Sequence, residues 1–427
     1  MDLYFLMRPI VTWAYTFYFK KINYGGGENI PVDKPVLLSC NHPTGFFEPM
    51  LLGCIFTEHS FYYIARGDFF RKPRKSFILK NIHLLPIYRF RDGFAEMKKN
   101  AESMLNMNKM LSENKKIMIF SEGSTETIRF LRPLQKGLAR MAFDNYVTYG
   151  DLDLQIVPTG MSYSNPHTPR SEAYGKIGAP ISLRDYYELY AQNAPRAVQQ
   201  LTKDVESAMR SLIIQIDDRA RETIADKYFT LYTNTYPEST YPVYKVSTRR
   251  LEAQQEIAHN INALTETEFG IFSQRISDYE QKLKSLNVQD TDISVPPRIG
   301  LGILLTIIIG FIPYLLGKYL HIIPLTVAKW YRDKKVKLQA FKGPVYAAMV
   351  FAVAIVQYIF LIVLGFIIGK ASFWSVIFAM PFLATIAINY KQRLEQFLGY
   401  FRLRKVDKNT IENLSEERKT LMKSVFR

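Results

Sequence analysis

Cysteine is scarce in this sequence, with Cys40 and Cys54 the only two among 427 residues. A disulfide framework is therefore excluded. Neither thiol belongs to a CxxC pair or a Cys/His cluster, so the sequence predicts no metal site. Collagen-like and fully disordered chains are also excluded, because 48% of the residues are hydrophobic and 14% are aromatic. The length instead predicts roughly two or three regions with packed cores.

Acidic residues are outnumbered by basic ones. The chain has 39 Asp and Glu against 55 Lys and Arg, which gives a net charge of +16. Such a surplus can serve nucleic acid, an anionic membrane surface or acidic small substrates. A nucleic-acid binder should interleave basic and aromatic residues on one exposed face. Here the basic residues concentrate beside long apolar runs, which favours a membrane partner and predicts no nucleic acid.

Long uncharged runs near the carboxyl end predict a membrane region over residues 299–390. The runs 345–369 and 371–390 can each cross a hydrocarbon core about 30 Å thick, and together they predict a transmembrane hairpin. Lys and Arg crowd both flanks of this hairpin, so the positive-inside rule places both flanks, and the domain that precedes them at residues 30–182, on the cytoplasmic face. A third run precedes them. For residues 299–323 we expect a re-entrant turn at Gly310 and Pro313, with an ordinary span as the alternative.

Three other segments flank the central part of the chain. The aromatic-rich residues 1–24 indicate an interfacial membrane-anchoring helix. Residues 183–296 have a charged helical pattern and predict a helical subdomain without chemistry of its own. The basic tail, 391–427, is predicted to be a cytoplasmic helix that is solvated or contacts lipid headgroups. Five residues of the first segment are expected at headgroup depth or facing phosphates: Trp13, Tyr15, Tyr18, Lys20 and Lys21.

Between residues 30 and 182, short apolar runs alternate with longer runs of helical period. The strand-like runs are 36–38, 61–65, 117–120 and 154–157, and the helix-like runs are 48–56, 95–111 and 136–147. This alternation predicts an α/β domain. Ligands of such domains bind where strands end and loops begin, so the loops that follow the strands are the candidate sites.

The loop after the first of these strands carries His42 and Glu48. Pro43 biases His42 away from helical geometry, which predicts an accessible imidazole on an extended turn. Glu48 could bind one ring nitrogen and fix the tautomer, while the other nitrogen takes a proton from a hydroxyl group. A buried histidine bonded to a backbone carbonyl is the alternative. The neighbouring motifs favour the catalytic interpretation.

Residues suited to a phosphorylated ligand follow the next two strands. Arg89 comes after an apolar stretch, where a guanidinium usually has an anionic partner such as a phosphate ester; a surface arginine is the alternative. Gly123 allows close backbone approach, and Ser124 with the turn amides can donate to an oxyanion. Glu122 can accept from a polyol hydroxyl or orient the arginine. Lys136 adds a cation where the next helix begins.

The last predicted strand contains Pro158 and is expected to end in a sharp turn at Gly160. Pro158 could line an acyl channel, or it could be an ordinary core position at the end of a strand.

The segments around His42, Arg89, Glu122 and Pro158 form four sequence blocks. Over residues 31–180, these four blocks together resemble the glycerolipid acyltransferase superfamily, which acylates glycerol-3-phosphate and 1-acylglycerol-3-phosphate. The matching positions are His42, Arg89, Glu122 with Gly123, and Pro158. Five residues separate His42 from Glu48, where the family usually has four residues and an Asp. The longer spacing resembles a membrane-embedded branch of glycerol-3-phosphate acyltransferases. Ser121 also replaces the proline that commonly precedes the Glu-Gly pair.

The resemblance implies a mixed α/β sheet flanked by helices, and a membrane-bound O-acyltransferase of phospholipid biosynthesis. His42 would deprotonate an acceptor hydroxyl, which attacks an acyl thioester directly. No cofactor is expected. The expected partners are membrane lipids, a phosphorylated glycerol acceptor, and a thioester donor that is either acyl-CoA or an acyl-carrier protein.

The expected acceptor is 1-acyl-sn-glycerol-3-phosphate, which gives phosphatidic acid. Glycerol-3-phosphate or another lyso-lipid is the alternative acceptor. A non-catalytic membrane lipid-binding protein is an alternative of a different class, and the intact set of His42, Arg89 and Glu122 argues against it.

Overall fold

The computed structural model describes residues 2–88 and 98–425 of the chain. These fall into two units. The first comprises Met1–Gln215, Thr240–Gln255 and Gln339–Pro344, and the second comprises Ile216–Ser239, Glu256–Leu338 and Val345–Arg427. The helical segment predicted over residues 183–296 is therefore not one separate subdomain, because its first part and residues 240–255 pack with the sheet of the first unit.

Strands and helices alternate through the first half of the described chain. The strands are β1 (Lys21–Gly25), β2 (Val36–Cys40), β3 (Phe61–Arg66), β4 (Leu84–Ile87), β5 (Lys116–Phe120), β6 (Gln155–Tyr163), β7 (Glu172–Ile177), β8 (Ile181–Ser182) and β9 (Tyr244–Val246). The helices of this part are α1 (Leu3–Tyr18), α2 (Phe47–Ile55), α3 (Pro73–Asn81), α4 (Lys99–Ser112), α5 (Gly137–Tyr149), α6 (Tyr187–Gln192) and α7 (Ala194–Arg210).

The remainder of the described chain is almost entirely helical. Its helices are α8 (Arg219–Thr235), α9 (Arg249–Asn262), α10 (Glu266–Ser285), α11 (Asp290–Ser294), α12 (Leu301–Leu320), α13 (Ile322–Lys335), α14 (Gln339–Ile368), α15 (Ala371–Leu403) and α16 (Lys408–Val425).

The first unit is built on a mixed sheet flanked by helices, as predicted. The strands follow the order β4, β3, β5, β2, β6, β7, β1, β9, and β8 pairs with β6. The strands from β4 to β6 are parallel to their neighbours, and β7 then pairs antiparallel with β6. The register places Cys40 of β2 opposite Phe120 of β5. The loops that follow β2 and β5 therefore open at the same edge of the sheet.

Apolar side chains fill both faces of this sheet. Leu37, Ile117 and Ile156 belong to a buried cluster with α4, α5 and α7 on one face. Tyr63 points to the other face, where its ring lies 6.5 Å from that of Tyr4 in α1. Every residue of β2 is buried, which is why a short uninterrupted apolar run predicted this central strand correctly.

The structure differs from the sequence predictions at two places in this unit. The apolar stretch before Arg89, for which no strand was predicted, contains Leu85, Pro86 and Ile87 of β4, which pairs with β3. The strand containing Pro158 does not turn at Gly160 but continues to Tyr163. The side chain of Asn41 extends the pairing beyond the end of β2, because its amide bonds the N–H and the carbonyl of Met161.

The amino-terminal segment is a helix followed by a strand, and its contacts differ from the interfacial placement expected for several residues. Tyr15 and Tyr18 are buried against the rest of the first unit. Lys21 begins β1 and is also buried, with its ammonium group donating to the Pro242 carbonyl 2.6 Å away. Trp13 remains half exposed. Only one side of α1 is therefore open to solvent or lipid.

In the second unit, the basic tail folds onto the helices before it. Arg418 of α16 binds Asp290 at 2.7 Å and donates to the Leu231 carbonyl at 2.8 Å. Tyr228 of α8 donates to the Met422 carbonyl at 2.6 Å. The tail predicted to be solvated or lipid-bound instead has a packed helix from Lys408 to Val425.

Three described helices are long and apolar enough to cross a membrane: Leu301–Leu320, Gln339–Ile368 and Phe373–Leu403. The two later helices form the predicted hairpin, since a side chain at Gly365 would contact Trp374. The first helix runs unbroken through Gly310 and Pro313, so no reversal occurs at those residues.

The chain reverses slightly later, at His321. The end of α12 lies beside the middle of α14, because Gln357 donates to the Leu320 carbonyl at 2.7 Å. The end of α13 lies beside the start of α14, with Arg332 5.1 Å from the ring centroid of Tyr346. Helix α13 thus runs antiparallel to α14 and returns along the direction from which α12 came.

Candidate active site

Two of the predicted blocks meet at the edge of the sheet where β2 and β5 end. His42 follows β2, and Glu122 follows β5. The backbone N–H of His42 donates to Glu122 Oε2 at 2.8 Å. The loops after two adjacent parallel strands are thereby joined, as expected for a site at the carboxyl edge of an α/β sheet.

His42 and Glu48 form a hydrogen-bonded pair. His42 Nδ1 lies 2.9 Å from Glu48 Oε2, and the carboxyl group is fully buried in the first turn of α2. The chain folds the acid back through a turn in which Thr44 Oγ1 accepts from the Phe47 N–H at 3.1 Å. The spacing of five intervening residues is therefore compatible with a dyad, although the two residues do not share a helical face.

The buried carboxyl group of Glu48 is surrounded by donors. Its Oε1 accepts from the Thr44 N–H at 3.2 Å, the Thr44 hydroxyl at 2.7 Å and the Tyr163 hydroxyl at 3.0 Å. Burial, and then the charge of Glu48, raise the pKa of Tyr163 well above its ordinary value, so its hydroxyl remains a donor. This environment suits an ionised carboxylate, which accepts at both oxygens.

The arrangement determines which nitrogen of His42 carries the proton. A carboxylate at Nδ1 requires an N–H there, which leaves Nε2 with a lone pair. The ring stacks on Phe120 with 3.9 Å between centroids, and the side chain is 13% exposed. His42 is thus held rigidly and remains accessible, as a general base requires.

Glu122 accepts hydrogen bonds from two separate segments of the protein, one at His42 and one at Arg132. Its Oε1 accepts from the Arg132 N–H at 3.1 Å, and its Oε2 accepts from Arg132 Nη2 at 3.2 Å in addition to the His42 N–H. The side chain is only 4% exposed. Glu122 therefore orients Arg132, whereas the arginine it was predicted to orient, Arg89, lies outside the described residues. Both of its oxygens accept from protein donors.

The residues after Glu122 form a tight turn. Gly123 has a φ of 72°, and its N–H donates to the Phe120 carbonyl at 3.0 Å. This amide is therefore occupied within the turn and does not face an oxyanion. Ser124 is exposed, and both its hydroxyl and its carbonyl contact the Arg132 guanidinium. Lys136 is exposed where α5 begins.

Of the two remaining predicted residues, one lies outside the described part of the chain and the other lies within the sheet. Arg89 lies outside the described residues, which end at Tyr88 just beyond β4. Pro158 is buried inside the sheet opposite Ser39, and its carbonyl accepts from the Gly178 N–H at 2.8 Å. Its role in an acyl channel stays a prediction. In the described part of the chain, no group of three or more His, Cys, Asp or Glu side chains could hold a metal ion.

His42, Glu48 and Glu122 of this site lie within a segment that matches a known protein family. Residues 21–162 match the family model described as Acyltransferase. These residues are similar to an acyltransferase domain, which agrees with the acyltransferase resemblance predicted from the four blocks.

Two curated relatives are similar to part of this chain. An uncharacterized acyltransferase of Schizosaccharomyces pombe is 35% identical over 104 residues, which cover 24% of this chain and 15% of that protein. Glycerol-3-phosphate O-acyltransferase 1 of Saccharomyces cerevisiae is 25% identical over 198 residues, which cover 45% of this chain and 26% of that protein. The matches thus span about a quarter or less of the relatives' length.

The crystal structure of the 1-acyl-sn-glycerophosphate acyltransferase PlsC from Thermotoga maritima also aligns with this chain. The alignment covers 48% of this chain and 79% of that one, with a TM-score of 0.34 and 14% sequence identity.

Three residues of the acyltransferase domain site were not singled out from the sequence. Thr44 and Tyr163 hold Glu48, and Arg132 joins Glu122 to Ser124. Tyr163 has no local signal, because it contacts a residue 115 positions away. Arg132 did have a local sequence signal, since it is a basic residue in the loop between Glu122 and Lys136.

Proposed function

We propose that this protein is a membrane-bound O-acyltransferase that transfers a fatty acyl group from an acyl thioester to a hydroxyl of glycerol-3-phosphate. The observation that carries the proposal is the dyad, in which Glu48, fully buried, binds His42 Nδ1 at 2.9 Å. Two further points favour glycerol-3-phosphate over the 1-acyl derivative expected from sequence. A relative's name states that acceptor, and the longer spacing between His42 and Glu48 resembles the same branch.

The reaction begins with proton transfer to His42. As Nε2 takes the hydroxyl proton, the acceptor oxygen attacks the carbonyl carbon of the thioester, and Glu48 stabilises the imidazolium that forms. Collapse of the tetrahedral intermediate breaks the carbon–sulfur bond. His42 then returns the proton to the leaving thiolate, so the products are an ester and a free thiol, and the enzyme is regenerated without a covalent acyl intermediate.

The acceptor phosphate must be held so that its hydroxyl reaches His42. Arg132 is well placed among the described cations, because it binds the same Glu122 carboxylate that accepts from the His42 N–H. Lys136, at the start of α5, and Arg89 are the other candidate phosphate ligands. Holding the hydroxyl near its base can lower the barrier by several kcal/mol, and by about 7 to 11 kcal/mol in ideal cases.

The membrane region supports an apolar substrate and product. Three helices in the described part of the chain are suited to cross a bilayer, and a long-chain thioester and its lipid product both partition there. We place the acyltransferase domain on the cytoplasmic face, because Lys and Arg crowd both flanks of the hairpin formed by α14 and α15.

Acyl transfer by the purified full-length chain tests this proposal. One labelled acyl group, presented as acyl-CoA or on an acyl-carrier protein, is offered in parallel to glycerol-3-phosphate, 1-acylglycerol-3-phosphate and a neutral lyso-lipid. The variants are His42→Ala and, as a matched control, His259→Ala, which alters an exposed histidine on α9.

We expect product from glycerol-3-phosphate with wild type and His259→Ala, and its loss with His42→Ala. Product from another acceptor alone would reassign the substrate but keep the reaction. Equal product from His42→Ala would remove His42 as the base. No product from any acceptor with either donor would favour the non-catalytic lipid-binding alternative.

A further inference from the structure

The first unit exposes an apolar stripe along α1. The buried side of this helix carries Tyr4, Tyr15 and Tyr18. The opposite side is exposed over more than two turns of helix, with large apolar side chains that nothing in the first unit covers. These side chains are Phe5, Leu6, Ile10 and Trp13.

A second exposed element, α3, combines apolar and basic side chains. Phe77 and Ile78 are 71% and 51% exposed, although side chains of this size normally contribute to a core. The helix and the residues before it contain no Asp or Glu from residue 69 to residue 81. Its exposed cations are Lys72, Arg74, Lys75 and Lys80.

The two helices meet where α1 begins and α3 ends. His83, just beyond α3, stacks between the rings of Tyr4 and Tyr62 at 4.3 and 4.2 Å. Its Nε2 lies 2.8 Å from a carboxyl oxygen of Asp2, the residue that caps α1. The start of α1 is thus fixed against the end of α3. We call the exposed residues of these two helices the α1/α3 surface: Phe5, Leu6, Ile10, Trp13, Lys72, Arg74, Lys75, Phe77, Ile78 and Lys80.

We propose that the α1/α3 surface lies on an anionic lipid bilayer and that α3 is a second membrane-contact element of the catalytic unit. Apolar side chains flanked by cations, without intervening acids, match the boundary between acyl chains and phosphate headgroups. The large exposed area spread over two helices is unusual for a surface that faces water alone. The placement also differs from that expected from sequence, since Tyr15, Tyr18 and Lys21 face inward and α3 takes their place at the lipid.

A fluorescent probe at residue 77 tests the proposal without any measurement of enzyme activity. The full-length chain carrying Phe77→Cys is labelled with an environment-sensitive dye and reconstituted into phosphatidylcholine vesicles, with or without phosphatidylglycerol. Spin-labelled lipid serves as the quencher. Labelling is selective because Cys40 and Cys54 are buried, and burial raises the pKa of Cys54 to about 11.

The matched control is Val147→Cys. Val147 is 67% exposed and lies on α5, which packs on the opposite face of the sheet from α1. A third chain combines Phe77→Cys with Lys72→Glu, Arg74→Glu and Lys75→Glu. All of these positions are exposed, so the substitutions leave the core of the unit unchanged.

We expect blue-shifted emission and strong lipid quenching at residue 77, several-fold greater than at residue 147 and increased by phosphatidylglycerol. The charge-reversed chain should lose the increase. Equal quenching at residues 77 and 147 would overturn the proposal. So would a probe at residue 77 that lipid leaves unchanged but an added acidic carrier protein shields, because the surface would then be a protein-docking site.

Discussion

Replacing Glu48 with Gln should invert the tautomer of His42. Three donors converge on Glu48 Oε1, from the Thr44 N–H, the Thr44 hydroxyl and the Tyr163 hydroxyl. The glutamine carbonyl oxygen must occupy that position, since an amide NH₂ there would face three other donors. The NH₂ group is then directed at His42 Nδ1. Nδ1 must accept from it, and the ring proton moves to Nε2.

A histidine that is protonated on Nε2 cannot take a proton from the acceptor hydroxyl. In a protease triad, the corresponding change of acid to amide lowers kcat by about 10⁴-fold for the same reason. We expect Glu48→Gln to lower kcat by about 10³ to 10⁴-fold, which corresponds to about 4 to 5.5 kcal/mol of transition-state stabilisation. The fold should persist, because glutamine keeps the shape of the side chain and its contacts with Thr44 and Tyr163.

The assay is initial-rate transfer of a labelled acyl group at saturating acceptor, alongside thermal unfolding of both proteins in the same detergent. If wild type and Glu48→Gln unfold at nearly the same temperature, the loss of rate comes from the chemical step and not from unfolding. If the folded Glu48→Gln protein retained activity within about tenfold of wild type, tautomer control by Glu48 would be refuted.

Three further substitutions test the residues that surround the pair of His42 and Glu48. Tyr163→Phe removes one of three donors to Glu48 Oε1, so kcat should fall only about fivefold, and a loss as large as that of Glu48→Gln would contradict the tautomer argument. Arg132→Ala should lower kcat/KM for a phosphorylated acceptor by at least about tenfold, measured beside a neutral acceptor, which should lose less. Gly45→Ala places a methyl group against the ring of Phe341, so we expect activity to fall. Activity should recover in the double variant that also carries Phe341→Ala. If the double variant is as impaired as Gly45→Ala alone, the ring of Phe341 is not the cause of the loss.

The sequence predicted the strands that carry the site but not the strands that complete the sheet. The runs that became β2, β3, β5 and β6 are short and mostly apolar, because these strands lie within the sheet and are largely covered on both faces. Strands β1, β7 and β9 have mixed sequences such as KINYG and EAYGKI. The partners of β1 are also distant in the chain, and the mixed sequences of all three strands gave no periodicity signal.

The dyad was predictable because its two members are close in sequence and each residue type has a specific chemical use. The contacts that hold the dyad in place were not predictable from the sequence, since Tyr163 reaches Glu48 from the far end of β6. Glu122 shows a different limit of predicting the site from the sequence. Its position after a strand marked it as part of the site, but only the structure shows its oxygens engaged by the His42 and Arg132 backbone amides.

The loop that carries His42 is also held by a residue far outside the matched domain. The Gly45 N–H donates to the carbonyl of Ala340 at 2.9 Å, in the first turn of the apolar helix α14. Gly343, one turn later, lies so close to the Pro166 carbonyl that no side chain would fit. The first unit thus includes residues 339–344. A chain ending before residue 339 would keep every motif residue of the site but would leave the Gly45 amide without this partner, so the spacing of the motifs alone does not specify a fully ordered dyad.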